Sequence, residues 1–136
     1  MKQWQSEWAH NKYWVMARSQ HAYNRIRELA RNNEWTDESQ AEYQQLLASL
    51  VDQQPTRATL TTAYQHIWGY FKRVASQSER KQYLQLLEQL TPTNDLLGPF
   101  LVTMTDKYQD PYLLSSRIIQ ELRSYPNETM ASKSNS

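Results

Sequence analysis

Helix start and stop signals punctuate this chain from end to end, and almost nothing in it alternates as a strand does. Thr36 precedes Asp37 and Glu38, a hydroxyl cap followed by acids at the positive end of a helix dipole. Ser76-Gln77-Ser78-Glu79 has the Ser-to-Glu spacing of a capping box. Asp110-Pro111 places a cap before a proline at the first helical position. Apolar residues recur between these signals with helical period, so the predicted elements follow directly. A first helix runs from about Lys2 to Ala17, and a second, capped by Ser19, ends near Arg31-Asn32-Asn33. A third starts at Thr36, buries Ala41, Leu46, Leu47 and Leu50, and stops at Pro55. A central helix spans roughly 56–75. A fifth, from Ser76 to Thr91-Pro92, buries Tyr83, Leu84, Leu86, Leu87 and Leu90. An apolar segment from Asn94 or Asp95 through Met104 is disturbed by Gly98-Pro99, and a last helix runs from Asp110 to about Arg123. The expected fold is all-α, a single compact bundle of six or seven helices over residues 1–123. A flexible polar tail is expected over 124–136, where Asn127-Glu128-Thr129 matches a glycosylation pattern by chance.

Composition narrows the class. A chain of 136 residues makes one domain and buries roughly two-thirds of its unfolded surface. With 5 Trp, 9 Tyr and 2 Phe, aromatic rings must supply much of that core. The net charge of +1 suits neither a strongly basic nor an acidic protein, but it is unevenly spread. Residues 2–31 carry Lys2, Lys12, Arg18, Arg25, Arg27 and Arg31 against Glu7 and Glu28, whereas 34–52 carry only acids. Absence of cysteine excludes disulfides, thiolate zinc and iron–sulfur ligation within this chain. The polar N-terminus resembles no signal peptide and no apolar run approaches membrane length, so a soluble cytoplasmic protein without a membrane partner is expected.

The densest stretch is Gln65-His66-Ile67-Trp68-Gly69-Tyr70-Phe71-Lys72. On a continuous helix, Leu60, Ala63, Tyr64, Ile67, Trp68, Phe71, Val74 and Ala75 form the core side. His66, Tyr70 and Arg73 then share the opposite side, with Gly69 beside them and Lys72 at the margin. Glycine costs roughly 1 kcal/mol inside a helix, so Gly69 calls for a compensating close approach. One reading is a shallow polar site with a gap, a stacking ring and cations for an anion; the other is a solvated face packed on a neighbour. In the first helix Lys12 falls within the apolar arc of Trp8, Ala9, Val15 and Met16. It must snorkel, pair with an acid, or sit desolvated with a lowered pKa. His10 and Trp14, on the other side, read as packing. No phosphate loop, no metalloprotease motif and no nucleophile elbow is present, and three scattered histidines give no metal-ligand spacing, so no metal or other cofactor is expected.

The His66-to-Lys72 element resembles the His-x-x-Gly-Tyr-Phe-Lys hallmark of the bacterial YbgA-like domain of unknown function. Lys12-Tyr13-Trp14-Val15-Met16-Ala17 with Tyr23, and Asp110-Pro111-Tyr112-Leu113, extend the resemblance over roughly residues 7–123. Arg18 stands where many members have histidine, and Ser115-Ser116 where glutamine is usual. Members occur alone or fused behind a cysteine-rich domain similar to thiouracil desulfidases. The resemblance therefore implies a link to thiolated nucleobases or nucleic-acid maintenance, with this cysteine-free chain as an accessory or substrate-handling module and a thiouracil-desulfidase-like protein as a partner.

Three functions remain open on these residues. The first is a binding module for a nucleobase, nucleotide, RNA or protein, using Lys12, His66, Gly69, Tyr70, Lys72 and Arg73. The second is an enzyme using Lys12 or His66 as acid, base or nucleophile in a pocket between the first and central helices. The third is an interaction domain with an exposed apolar patch.

Overall fold

The structure, a computed structural model, describes residues 1–124. Ser124 of the expected tail is described, and the rest, with its Asn127-Glu128-Thr129, lies outside the described residues. The elements are α1 (Gln3–Met16), α2 (Gln20–Leu29), a 3-10 turn (Arg31–Asn33), α3 (Asp37–Leu50), α4 (Arg57–Trp68), α5 (Gln77–Glu88), α6 (Leu97–Tyr108) and α7 (Pro111–Leu114). A further helix, α8, occupies 117–124. The all-α expectation holds: the described residues contain no strand, only an isolated bridge between Thr91 and Asn94.

The caps sit where the sequence placed them. Ser19, Thr36, Ser76 and Asp110 each accept a bond from the backbone N–H three residues on, satisfying a donor that the helix itself cannot. Asn32 and Asn33 take positive φ after α2, a conformation asparagine tolerates, and so turn the chain back toward α1.

α1 packs on α2, α3 and α4, while α6 packs on α4, α5 and α7. Val15, Ile26, Ile67, Leu97, Leu101 and Ile119 are fully enclosed, each contributing about 1.5–3 kcal/mol of burial. Trp14, Tyr43, Tyr64 and Phe71 fill the largest volumes, so aromatic rings supply the core as their number required. Gly98 is enclosed too. A β-carbon there would lie 2.7 Å from Leu122 Cδ2, 2.8 Å from the Tyr64 hydroxyl and 3.0 Å from Asp95 Oδ2. Gly98-Pro99 therefore opens α6 rather than disturbing it, with the Gly98 N–H donating to Asp95 Oδ1 at 2.7 Å.

The ends of α1 and of the chain's described part are tied together. The Trp14 indole N–H donates to Glu121 at 3.0 Å, and the guanidinium carbons of Arg18 and Arg117 lie 4.1 and 3.7 Å from its ring centroid. His10 Nδ1 meets the Ser115 carbonyl at 2.7 Å, and the Tyr112 hydroxyl donates to the Ala9 carbonyl at 2.9 Å. His10 and Trp14 are thus packing residues, as read.

Several expectations need correction. Ala41 is exposed and Leu84 is 61% exposed, because surface helices bury a narrower arc than their apolar pattern offered, whereas Val74, 54% exposed, lies in the turn beyond the end of α4. The last helix is not continuous. The Ser115 and Ser116 hydroxyls donate to the carbonyls of Tyr112 and Leu113, competing with the helical ladder and separating α7 from α8.

Candidate functional site

The central helix ends at Trp68 rather than near Ala75, and this rearranges the predicted stripe. The Tyr70 and Phe71 N–H groups donate to the carbonyls of Ile67 and Trp68, tightening the chain into i-to-i+3 turns over 69–74. Phe71 is thereby driven fully into the core while Tyr70 stays 37% exposed. Tyr70 and Arg73 consequently do not continue a helical face begun by His66. Gly69 is the C-cap, with φ −53 and ψ −27, an ordinary right-handed conformation. The expected penalty of a helix-interior glycine, and the close approach meant to offset it, do not apply there.

Side chains pin the turn from beyond. The Arg80 guanidinium donates to the Lys72 carbonyl at 2.7 Å, and the Tyr108 hydroxyl oxygen lies 3.1 Å from the Val74 carbonyl. Glu79 anchors the far end. It closes the capping box on the Ser76 N–H and accepts from Lys107 at 2.8 Å and Tyr108 at 2.6 Å. Lys107 first, then Tyr108 and the Ser76 backbone, hold its carboxyl down at about 2.

On the outer side of this turn lies a cluster of rings. The Tyr13 and Tyr70 hydroxyls are hydrogen-bonded at 2.9 Å, and Tyr70 stacks on Tyr112 with centroids 5.7 Å apart and planes 14° apart. Tyr13 meets Tyr112 edge-on at 6.1 Å and the His66 ring at 6.4 Å. Burial, then the bond to Tyr70 and the neighbouring phenols Tyr70, Tyr112 and Tyr23, hold the Tyr13 hydroxyl far above its ordinary value. Burial, then Tyr70 and Tyr23, push Tyr112 up to about 12. These hydroxyls remain neutral hydrogen-bonding groups across the physiological range. His66 is exposed, with Nδ1 facing the Thr62 carbonyl at 2.8 Å, so Nδ1–H is the donor.

Cations stand beside the rings. Lys12 is half-buried and, among the described residues, has no acid and no hydrogen-bond partner. Burial first, and the charge of Arg27 second, lower its pKa. Arg27 lies over the Tyr23 ring at 5.7 Å. Neighbouring bases are committed elsewhere: Arg25 makes a bidentate pair with Glu42 at 2.5 and 2.9 Å, and Arg18 leans on Glu121 at 3.9 Å. Lys72 and Arg73 are exposed, with no side-chain partner among the described residues.

Of the six predicted site residues, Tyr70 and His66 are therefore linked, through Tyr13. Lys12 adjoins that ring in sequence. Gly69, Lys72 and Arg73 share the turn, but nothing joins Lys72 or Arg73 to the rings by contact. Arg27, Tyr13 and Tyr112 are the members that residue-by-residue reading left out of the site. Tyr13 and Tyr112 were signalled by the family motifs, whereas the Lys12–Arg27 approach comes from α1 packing on α2.

The family model for a protein of unknown function, DUF1722, matches residues 12–126. The chain belongs to the DUF1722 family. No curated protein and no solved structure matches it. The DUF1722 span begins at Lys12 and takes in the whole ring cluster, together with Arg27, Lys72 and Arg73. Among its described residues no helix is long and apolar enough to cross a membrane, and no group of three His, Asp or Glu could hold a metal ion.

Proposed function

We propose that this DUF1722 chain is a nucleic-acid-binding accessory module, most suited to RNA, which presents phosphate-binding cations beside a tyrosine platform. The observation that carries this reading is Lys12, half-buried and with no acid or hydrogen-bond partner among the described residues, in the same helix turn as Tyr13 of the ring cluster, while Arg27 lies over the Tyr23 ring at 5.7 Å. A partly buried ammonium without a counter-charge costs free energy unless an anion joins it, and phosphate is the anion that arrives with stackable rings. Tyr70 would stack a base on its open side, with Lys72 and Arg73 following the backbone. The YbgA-like resemblance gives the setting: handling of thiolated nucleobases beside a thiouracil-desulfidase-like protein. An enzymatic role for Lys12 and His66 gains no support from their geometry, since no contact joins them and Nδ1 of His66 is taken by Thr62.

Titration of a labelled single-stranded RNA oligomer across salt concentrations tests this. Four cations give a slope of log affinity against log salt of about −3, at about −0.7 per neutralised phosphate. Lys12→Ala and Arg27→Ala should each lower that slope by under one unit, while Tyr70→Ala weakens binding by about 1–3 kcal/mol at unchanged slope. No measurable binding at low salt, or an equal loss on replacing Glu38 and Glu42, would sink the reading.

A further inference from the structure

The opposite chemistry is assembled on the other flank of α1. Trp4 and Trp35 stack face to face, centroids 4.5 Å apart and planes within 3°. Trp35 is fixed from two further directions: it meets Tyr43 edge-on at 5.6 Å, and its indole N–H donates to Gln40 Oε1 at 2.8 Å. The two positive-φ asparagines that bring Trp35 back onto α1 are themselves held, with the Gln5 amide donating to Asn33 Oδ1 at 3.2 Å. Two large, partly buried rings are thus held in place, Trp35 against the edge of the core and Trp4 stacked on it.

A groove of about 400 Å³ opens against this pair, lined by Gln3, Trp4, Glu7, Trp35, Asp37 and Gln40 among others. Its charged lining is two carboxylates, with no lysine or arginine. Glu7 receives only the Gln3 amide at 3.3 Å, and Asp37 has no side-chain partner among the described residues. No basic residue occurs between Arg31 and Arg57, so no neighbour in sequence neutralises Asp37, and Glu7, though Lys2 and Lys12 flank it in the chain, forms no ion pair among the described residues.

The molecule displays elsewhere what such a set of groups holds. Around Trp14 an indole, a carboxylate and guanidinium groups come together, with Arg117 3.7 Å from the ring centroid and bonded to Glu121 at 3.3 Å. The Trp4–Trp35 groove has the indoles and the carboxylates and lacks the guanidinium. We infer that the groove receives an arginine side chain from an arginine-bearing segment of another polypeptide. The planar guanidinium would lie against an indole and fork onto Glu7 or Asp37, an arrangement that a lysine ammonium reproduces only in part. The site is separate from the tyrosine platform and does not depend on what binds there.

The test follows the indole N–H signals of Trp4 and Trp35 by NMR while hexaarginine, hexalysine or hexaglutamate peptide is added to the full chain. Hexaarginine should shift both signals saturably, hexalysine should do so several-fold more weakly, and hexaglutamate should not. The Glu7→Gln/Asp37→Asn double variant keeps every ring and cap, so its circular dichroism should match wild type while its apparent affinity for hexaarginine falls about tenfold or more. The Trp14 signal should stay in place throughout. Absence of a saturable shift, an equal response to hexaglutamate, or unchanged affinity in the double variant would overturn the inference.

Discussion

Around Gly98 three neighbours stand within 3.0 Å of where a side chain would begin, whereas around Gly69 the nearest is the His66 carbonyl at 3.1 Å and the residue is open to solvent. The first region is a junction of α4, α6 and α8, in which Tyr64, Asp95 and Leu122 leave room for a hydrogen atom and nothing more. The second is a turn held from outside, by Arg80 and Tyr108 on its carbonyls and by Glu79 at its end. Local sequence drew attention to the wrong one of the two. Gly69 is conspicuous because aromatic residues surround it in the chain, but Gly98 is the glycine that the packing requires. Conspicuous local composition marked a surface; a plain Leu-Leu-Gly-Pro marked the constraint.

The contrast can be broken most directly by Gly98→Ala. The added methyl must displace the Tyr64 hydroxyl or the Leu122 methyl, and it should cost about 2–3 kcal/mol in urea unfolding, the range of core overpacking. A loss below 0.5 kcal/mol, the size of an ordinary surface change, would show that the junction yields. Next in size is Tyr64→Phe. The hydroxyl donates to Asp95 at 2.5 Å in a buried setting, so its removal should cost about 1.5–2 kcal/mol, as for bonds to charged groups. In the double variant the phenylalanine leaves room for the methyl, so the two costs should sum to less than their separate values; strict additivity would deny that they share one space.

On the Gly69 side the effects should be smaller. Tyr13→Phe removes one half-buried bond to Tyr70 and should cost about 0.5–1 kcal/mol. Glu79 gives the turn a dependence on acid. Its carboxyl is held at about 2, below the 4.5 of an unperturbed glutamate, so its contribution is complete above about pH 4.5 and is lost as pH falls toward 2. Thermal unfolding between pH 5 and 2 should show that loss, and Lys107→Ala should diminish it. Least of all should Gly69→Ala matter. The backbone is already right-handed and the tight atom is one carbonyl, so stability should change by under about 0.5 kcal/mol in either direction.

What could be read from the chain alone was whatever lies within one helical turn. Thr36, Ser76 and Asp110 cap where their spacing says, because a cap and its acceptor are three residues apart. The end of α4 escaped such reading, since the turn beyond it is held by Arg80 on the Lys72 carbonyl, a contact eight residues apart. So did the division of α7 from α8, which follows from two serines that also suit a helix surface. The candidate surfaces were half visible. Lys12, His66 and Tyr70 stood out by type, but Arg27 reaches Lys12 only across the α1–α2 pairing, and Trp4 finds Trp35 at a separation no periodicity connects. Predicted apolar arcs were too wide at Ala41 and Leu84 because a residue's type does not say how far round a helix its neighbours extend.

The tie between α1 and α8 also sets a timetable. Trp14 and Glu121 are separated by 107 residues, and His10, Asn11 and Ala9 wait for partners almost as far along. At synthesis rates of about 5–20 residues per second, Trp14 must stay without its carboxylate for roughly 5–20 s after it is made. The tyrosine platform, which needs Tyr112 against Tyr13, waits almost as long. A nascent chain interrupted before α7 would therefore carry the cations of α1 and α2 with no ring surface beside them, and its apolar α1 face would be open to whatever chaperone or neighbour reaches it first.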